Sequence, residues 1–152
     1  MTQPEGGRDR RLEDLVALLK QIDHLRSELA EQDRRAKDQM KGFLLELLEV
    51  LDACDTYFAS IAPREPEADA LAQAWLAYFR RVHRKLERAL ERFGVTRILA
   101  PEGKALPGYH TIEESRPAPG VEDDTILEER KKGYMWRGEA LRTAAVVTAR
   151  TA

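Results

Sequence analysis

The sequence predicts an α+β protein: a long N-terminal coiled-coil helix, a helical hairpin that forms a four-helix bundle in a homodimer, and a small C-terminal all-β domain. Three observations carry that expectation. An apolar heptad runs from Leu12 to Ile61. Pro63 and Pro66 then separate it from a second amphipathic stretch that stops at Gly94. Beyond Gly94, short β-branched runs alternate with Pro and Gly.

The polar, Gly-containing residues 1–8 read as a frayed tail. From Leu12 as position a, the a and d sites run Leu12, Leu15, Leu19, Ile22, Arg26, Leu29, Asp33, Ala36, Met40, Phe43, Leu47, Val50, Cys54, Tyr57 and Ile61. All but Arg26 and Asp33 are apolar or weakly polar, so a self-associating helical seam is expected. At about 1.5 Å per residue, such a helix is on the order of 75 Å long, more than one small domain covers. Between Ala30 and Lys41 the stripe thins to alanines and Met40, which predicts a solvated rod. From Phe43 to Phe58 it widens to take in Leu44, Leu48, Leu51 and Phe58, wide enough for a multi-helix bundle. Gly42, just before the widening, is the expected place for a bend.

Residues 62–66 are expected to form a loop, and a second helix is expected over 67–93. It sets Leu71, Trp75, Tyr78, Phe79, Val82, Leu86 and Leu90 on one side. Two helices and a short loop make a hairpin, and two hairpins make a four-helix bundle; a second copy of the chain supplies the other hairpin. The dimer residues expected on this reading are Leu15, Leu19, Ile22, Leu29, Phe43, Leu47, Val50, Leu51, Leu71 and Trp75. Residues 9–93 thus form the dimerising part and 94–152 a small β-domain. Its expected strands are Val95 to Leu99, Thr125 to Glu128 and Leu141 to Thr148. So small a unit commands little core of its own and is expected to lean on the helices.

Composition excludes several function classes. A net charge of −2 gives no global pull toward nucleic acid or anionic lipid. A single cysteine, Cys54, forms no internal disulfide, and no Cys/His spacing suits a metal. The first residues lack signal-peptide character and no apolar run reaches the roughly 18 residues of a membrane span. These readings point to a cytoplasmic protein with no cofactor. No phosphate-cradling glycine loop, nucleophile elbow or HExxH occurs, and His24, His83 and His110 fall on three separate predicted elements. The basic cluster from Arg80 to Arg88 is interleaved with Glu87 and followed by Glu91, as on a solvated helix face. Trp75 lies on the apolar stripe; Trp136, beside Arg137 and Gly138 in a turn-rich stretch, reads equally as an interaction anchor or as β-core.

The most specific signal closes the chain: Gly133-Tyr134, then Gly138, then Leu141-Arg142, with Ala144 and Val146 after them. This G-Y-x-x-x-G-x-x-L-R-x-A-x-V pattern resembles the GrpE family, the nucleotide exchange factors of DnaK-type heat-shock chaperones. Phe93-Gly94-Val95 is similar to that family's junction between helix and β-domain. Pro107 with His110 is similar to its F-D-P-x-x-H-x-A element, and Leu47-Leu48-Glu49-Val50-Leu51-Asp52 to its L-L-P-V-L-D segment. There are departures: Ala105 and Leu106 replace the F-D, Glu49 the Pro, and Ile112 an Ala. Thr56 and Glu139 stand where the family commonly carries a partner-facing Arg, and Arg to Glu reverses a charge.

The resemblance implies a homodimeric co-chaperone that performs no bond chemistry and promotes ADP release by binding and opening the chaperone's ATPase domain. It implies no nucleic-acid, membrane or small-molecule partner. With the turn-rich stretch around Trp136 taken together with this resemblance, the expected partner-binding residues are Tyr134, Trp136, Arg137, Gly138, Glu139 and Arg142, with Thr56 in the helix. The competing expectation is a structural or adaptor coiled-coil dimer with a β docking head for another protein, favoured by Thr56 and Glu139 and opposed by the Arg142 motif. With Arg26 and Asp33 in its seam, the N-terminal rod is expected to unpair before the bundle on warming.

Overall fold

The computed structural model describes the backbone of residues 6–150 and side chains from residue 10 onward. Most of the tail expected over residues 1–8 therefore lies outside the described residues, and the backbone is already helical at Gly6. The chain divides into two compact units, one ending at Phe43 and the other beginning at Leu44. Helix α1, Gly6–Ile61, passes through both and is helical through Gly42, where a bend was expected.

In the first unit, Leu12, Leu15, Leu19, Ile22 and Leu29 are between 44% and 59% exposed. Nothing within the unit covers them, because a single helix has no opposing face to bury against. The stretch from Ala30 to Lys41 is exposed except at Glu31, whose carboxylate pairs with Arg34 and Arg35 one turn on. Pairs of that spacing support an isolated helix by only about 0.3–0.5 kcal/mol each.

The second unit starts with the last turns of α1. A 3₁₀ segment, Ala62–Glu67, takes the place of the expected loop, as Pro63 and Pro66 dictate. Helix α2, Ala70–Arg92, begins later than residue 67 because Asp69 caps it, its carboxylate accepting from the Ala72 N–H at 2.7 Å. It ends where Gly94 turns the chain at φ +81, a left-handed conformation that glycine adopts without strain.

Among the described residues six strands follow: β1 Val95–Arg97, β2 His110–Pro117, β3 Ile126–Lys131, β4 Tyr134–Trp136, β5 Glu139–Arg142 and β6 Ala144–Arg150. They make two three-stranded sheets, ordered β1-β4-β5 and β2-β6-β3. In the second, β6 is central, parallel to β2 and antiparallel to β3. The run expected as one strand from Leu141 to Thr148 is two, split at Thr143 where the chain leaves the first sheet for the second. Strands β2 and β4 were absent from the expectation. The first is too polar, HTIEESRP, to read as half-buried, and the second spans only three residues.

The small β1-β4-β5 sheet does lean on the helices. Leu44, Leu48 and Leu51 of α1 and Leu90 of α2 share one core with Val95, Tyr134, Trp136 and Leu141. Leu51, expected on a dimer face, is 1% exposed in that core. The reason is geometric: Leu44, Leu48 and Leu51 recur at the i, i+4, i+7 spacing of one helix stripe, and that stripe faces the chain's own sheet. Burying each such side chain contributes about 1.5–3 kcal/mol. Phe43 and Val50 instead remain exposed, as do Leu71 and Trp75 of α2, while Leu47 is partly buried against the core.

Candidate docking site

Strands β4 and β5 form a tight hairpin whose two-residue turn is Arg137-Gly138, with Trp136 opposite Glu139. Both turn residues have positive φ, 52 and 82. This is the turn geometry that matches the twist of paired strands, and Gly138 suits it, whereas Arg137 holds a left-handed conformation at some cost. The Arg137 guanidinium lies over the Trp136 ring at 4.8 Å, an attraction that offsets part of that cost. Arg137, Gly138 and Glu139 are exposed. The tip is thus a fixed projection with one charge of each sign.

Behind the tip the expected contact residues turn inward. Trp136 is 5% exposed, and its indole N–H donates to the Phe93 carbonyl at 3.2 Å, tying the hairpin to the end of α2. Of the two readings of Trp136, the core reading holds. Tyr134 is buried too, and burial, with the nearby carboxylates of Asp55 and Glu87, pushes its phenol up to about 12.

Arg142 has a side chain only 12% exposed. Its Nη1 and Nη2 donate to the two Asp52 carboxylate oxygens at 2.6 and 2.8 Å. Nε and Nη2 also donate to the Lys132 carbonyl at 3.2 and 2.8 Å, and Nη1 reaches Glu49 at 3.5 Å. A planar guanidinium fork against a carboxylate is among the stronger and more directional pairings available to a side chain.

A polar groove runs between the end of α1 and the β3–β4 region, lined by Glu49, Asp52, Asp55 and Thr56 on one side and Glu129 to Lys132 on the other. Lys131 pairs with Glu49 at 2.8 Å and Lys132 with Asp55 at 2.6 Å. Asp55 also faces His83 of α2 at 3.2 Å. Thr56 is exposed at the groove's edge, its hydroxyl donating to the Asp52 carbonyl one turn back. The Asp52–Arg142 fork and the lysine pairs are the site features that sequence reasoning missed. The fork joins residues 90 apart in the chain and the lysine pairs are nearly as distant, and a single sequence holds no signal for such contacts.

Among the described residues, no group of three or more His, Cys, Asp and Glu side chains is arranged to hold a metal. None of the described helices is long and apolar enough to cross a membrane.

A hairpin packed against α1 and α2, with Arg142 forked onto Asp52 of α1, is the setting in which the Gly133 to Val146 pattern occurs. The GrpE family model matches residues 10–150, almost the whole chain. The chain belongs to the GrpE family. Curated GrpE proteins are similar to it over the aligned stretches: that of Chlorobaculum tepidum is 33% identical over 112 residues, covering 73% of this chain and 57% of the relative. The GrpE protein of Rhizorhabdus wittichii is 30% identical over 110 residues, covering 72% and 60%. That of Halorhodospira halophila is 30% identical over 139 residues, covering 86% and 56%. The matched part is thus under two thirds of the length of these GrpE relatives. Within the GrpE pattern of this chain, Gly133 has a packing reason: a Cβ there would lie 2.4 Å from the Ala144 backbone nitrogen.

Proposed function

We propose that this chain is a homodimeric co-chaperone that promotes ADP release from a DnaK-type heat-shock chaperone by binding its ATPase domain and favouring the open form. Membership in the GrpE family across residues 10–150 is the observation that carries this reading. No bond is made or broken by the protein itself. Exchange requires only that the dimer bind the open, nucleotide-free chaperone more tightly than the closed one, because a ligand with equal affinity for both states shifts nothing. Linkage then requires bound ADP to weaken the chaperone's hold on this protein by the same factor.

The dimer is supported by the amount of apolar surface one chain leaves uncovered. Leu15, Leu19, Ile22 and Leu29 on α1, Phe43 and Val50 further along it, and Leu71 and Trp75 on α2 are all more than 40% exposed. Soluble proteins seldom present so many large apolar side chains in register without a partner. The exposed docking residues on this reading are Arg137, Gly138 and Glu139 of the hairpin tip and Thr56 of the helix.

The test is release of fluorescently labelled ADP from the cognate chaperone in the cytoplasm of the source cell. A stoichiometric excess of this protein is expected to accelerate release. An unchanged rate, with capture of some other protein on the immobilised dimer, would instead establish an adaptor.

A further inference from the structure

The motif arginine of the hairpin belongs, by sequence, with the residues that touch the partner. Its surroundings assign it otherwise. A guanidinium carries five N–H bonds. The two on Nη1 are directed at Asp52 Oδ2 and Glu49 Oε1, the two on Nη2 at Asp52 Oδ1 and the Lys132 carbonyl, and Nε at the same carbonyl. The guanidinium also lies 5.7 Å from the centre of the Tyr134 ring. With the side chain 12% exposed, no donor is left over for another molecule.

Asp52 is the other half of the arrangement. It lies in the last turns of α1, its side chain 20% exposed, with the Lys131 ammonium 3.5 Å from the carboxylate oxygen that Nη1 holds. Leu48 and Leu51, on neighbouring turns of that helix, are in the apolar core beneath the β4–β5 hairpin. Apolar contact holds the sheet against the helix, but it is non-directional and resists small rotations less sharply than a fork of hydrogen bonds. A two-pronged hydrogen bond is directional, since small rotations misalign both prongs.

We infer that Arg142 is a positioning residue: through Asp52 it sets the angle of the β4–β5 hairpin on the helix, and with it the pose in which the Arg137–Glu139 tip meets a partner. This rests on the exchange function proposed above. The specificity lies in the fork and not in the charge. Lysine at position 142 keeps the charge and loses the geometry.

Two readouts on the full-length dimer separate this role from direct contact. In the first, chains carrying Cys54→Ser with spin labels at Ala59 and Thr96, diluted into unlabelled chain, report the helix-to-sheet distance by pulsed dipolar spectroscopy. Arg142→Lys, Arg142→Met and Asp52→Asn are each expected to broaden the distribution while far-UV circular dichroism stays as in the parent. In the second, the half-maximal concentration for release of labelled ADP is expected to rise about tenfold or more in all three variants. The Arg142→Met/Asp52→Asn double variant is expected to be no worse than the poorer single one, since both remove one interaction. An unchanged distance distribution overturns the inference. So does an Asp52→Asn protein that exchanges like the parent while Arg142→Met does not, because that pattern belongs to an arginine touching the partner. If the parent itself releases no ADP, the exchange reading fails, and the distances still decide what Arg142 does.

Discussion

Leu19 and Leu48 belong to the same helix, yet one is 55% exposed and the other fully buried. Residues up to Phe43 have only their own helix, whereas residues from Leu44 onward have a sheet and a second helix to pack against. Leucine periodicity alone does not say where a side chain is buried. It says only that some surface must cover it, and among the described residues the first unit supplies none of its own.

The contrast is sharpened most by truncating one leucine of each kind. Leu48→Ala leaves a cavity between α1 and the sheet, and the second unit is expected to lose about 2–5 kcal/mol, read by chemical denaturation with Trp136 fluorescence on a Trp75→Phe background. Leu19→Ala is expected to leave that transition where it was and to weaken only self-association. Equal losses from the two variants would erase the distinction.

Gly133→Ala tests the second region from the opposite side. The added methyl meets the Ala144 backbone, which cannot swing away as a side chain does. Overpacking of this kind is expected to cost about 1–3 kcal/mol in the Trp136-reported transition and to leave dimerisation intact.

Alkaline pH probes the same core. The Tyr134 phenol is held up to about 12 by burial first, and then by the carboxylates of Asp55 and Glu87. An unfolded tyrosine titrates near 10, so the unfolded chain loses its proton first as pH rises. The stability contributed by neutral Tyr134 is therefore complete below about pH 10 and is lost between there and about pH 12. Tyr134→Phe should flatten the alkaline limb of the stability profile over that interval, and a limb identical to the parent's would contradict the assignment.

A smaller effect is expected at acid pH, on the polar edge of the second sheet. Hydrogen bonds from Arg116 and then Arg130 lower Glu114 to about 2. Because the folded value is depressed, the contribution is present above the ordinary carboxylate range and is lost as pH falls from about 4.5 toward 2. The Glu114 side chain is 42% exposed and its pairing is screened by water, so Glu114→Gln should remove only a slight acid dependence in that window. It should leave the N-terminal region's helicity unchanged.

The helices were legible in the sequence because their cues are local. The heptad, the prolines at 63 and 66, and Gly94 each act within one turn of the chain. The sheets were legible only where β-branched residues cluster, as in Val146-Val147-Thr148. Strand β2 owes its place to pairing with β6 and to a Ser115–Thr148 hydroxyl contact, so its polar sequence gave no warning. For Leu51 the widened stripe announced a broad apolar contact but not whether a helix of another chain or a sheet of this one would supply it. The candidate site was half legible. Gly138 marked a turn-rich stretch without announcing strand β4 before it, and the inward turn of Arg142 depends on Asp52, whose proximity is a product of the fold.

A dilution series puts the difference between the two regions to its most direct test. Sedimentation equilibrium and far-UV circular dichroism would be followed from micromolar to low nanomolar chain, with Trp136 fluorescence recorded alongside on a Trp75→Phe chain, since Trp75 lies on the proposed dimer face and would report dissociation itself. The expected result is a dimer that dissociates on dilution with loss of helical signal, while Trp136, buried within one chain, keeps its native emission. A monomer at every concentration that retains its full helical signal would contradict the account, because the exposed leucines before Phe43 would then need no second chain.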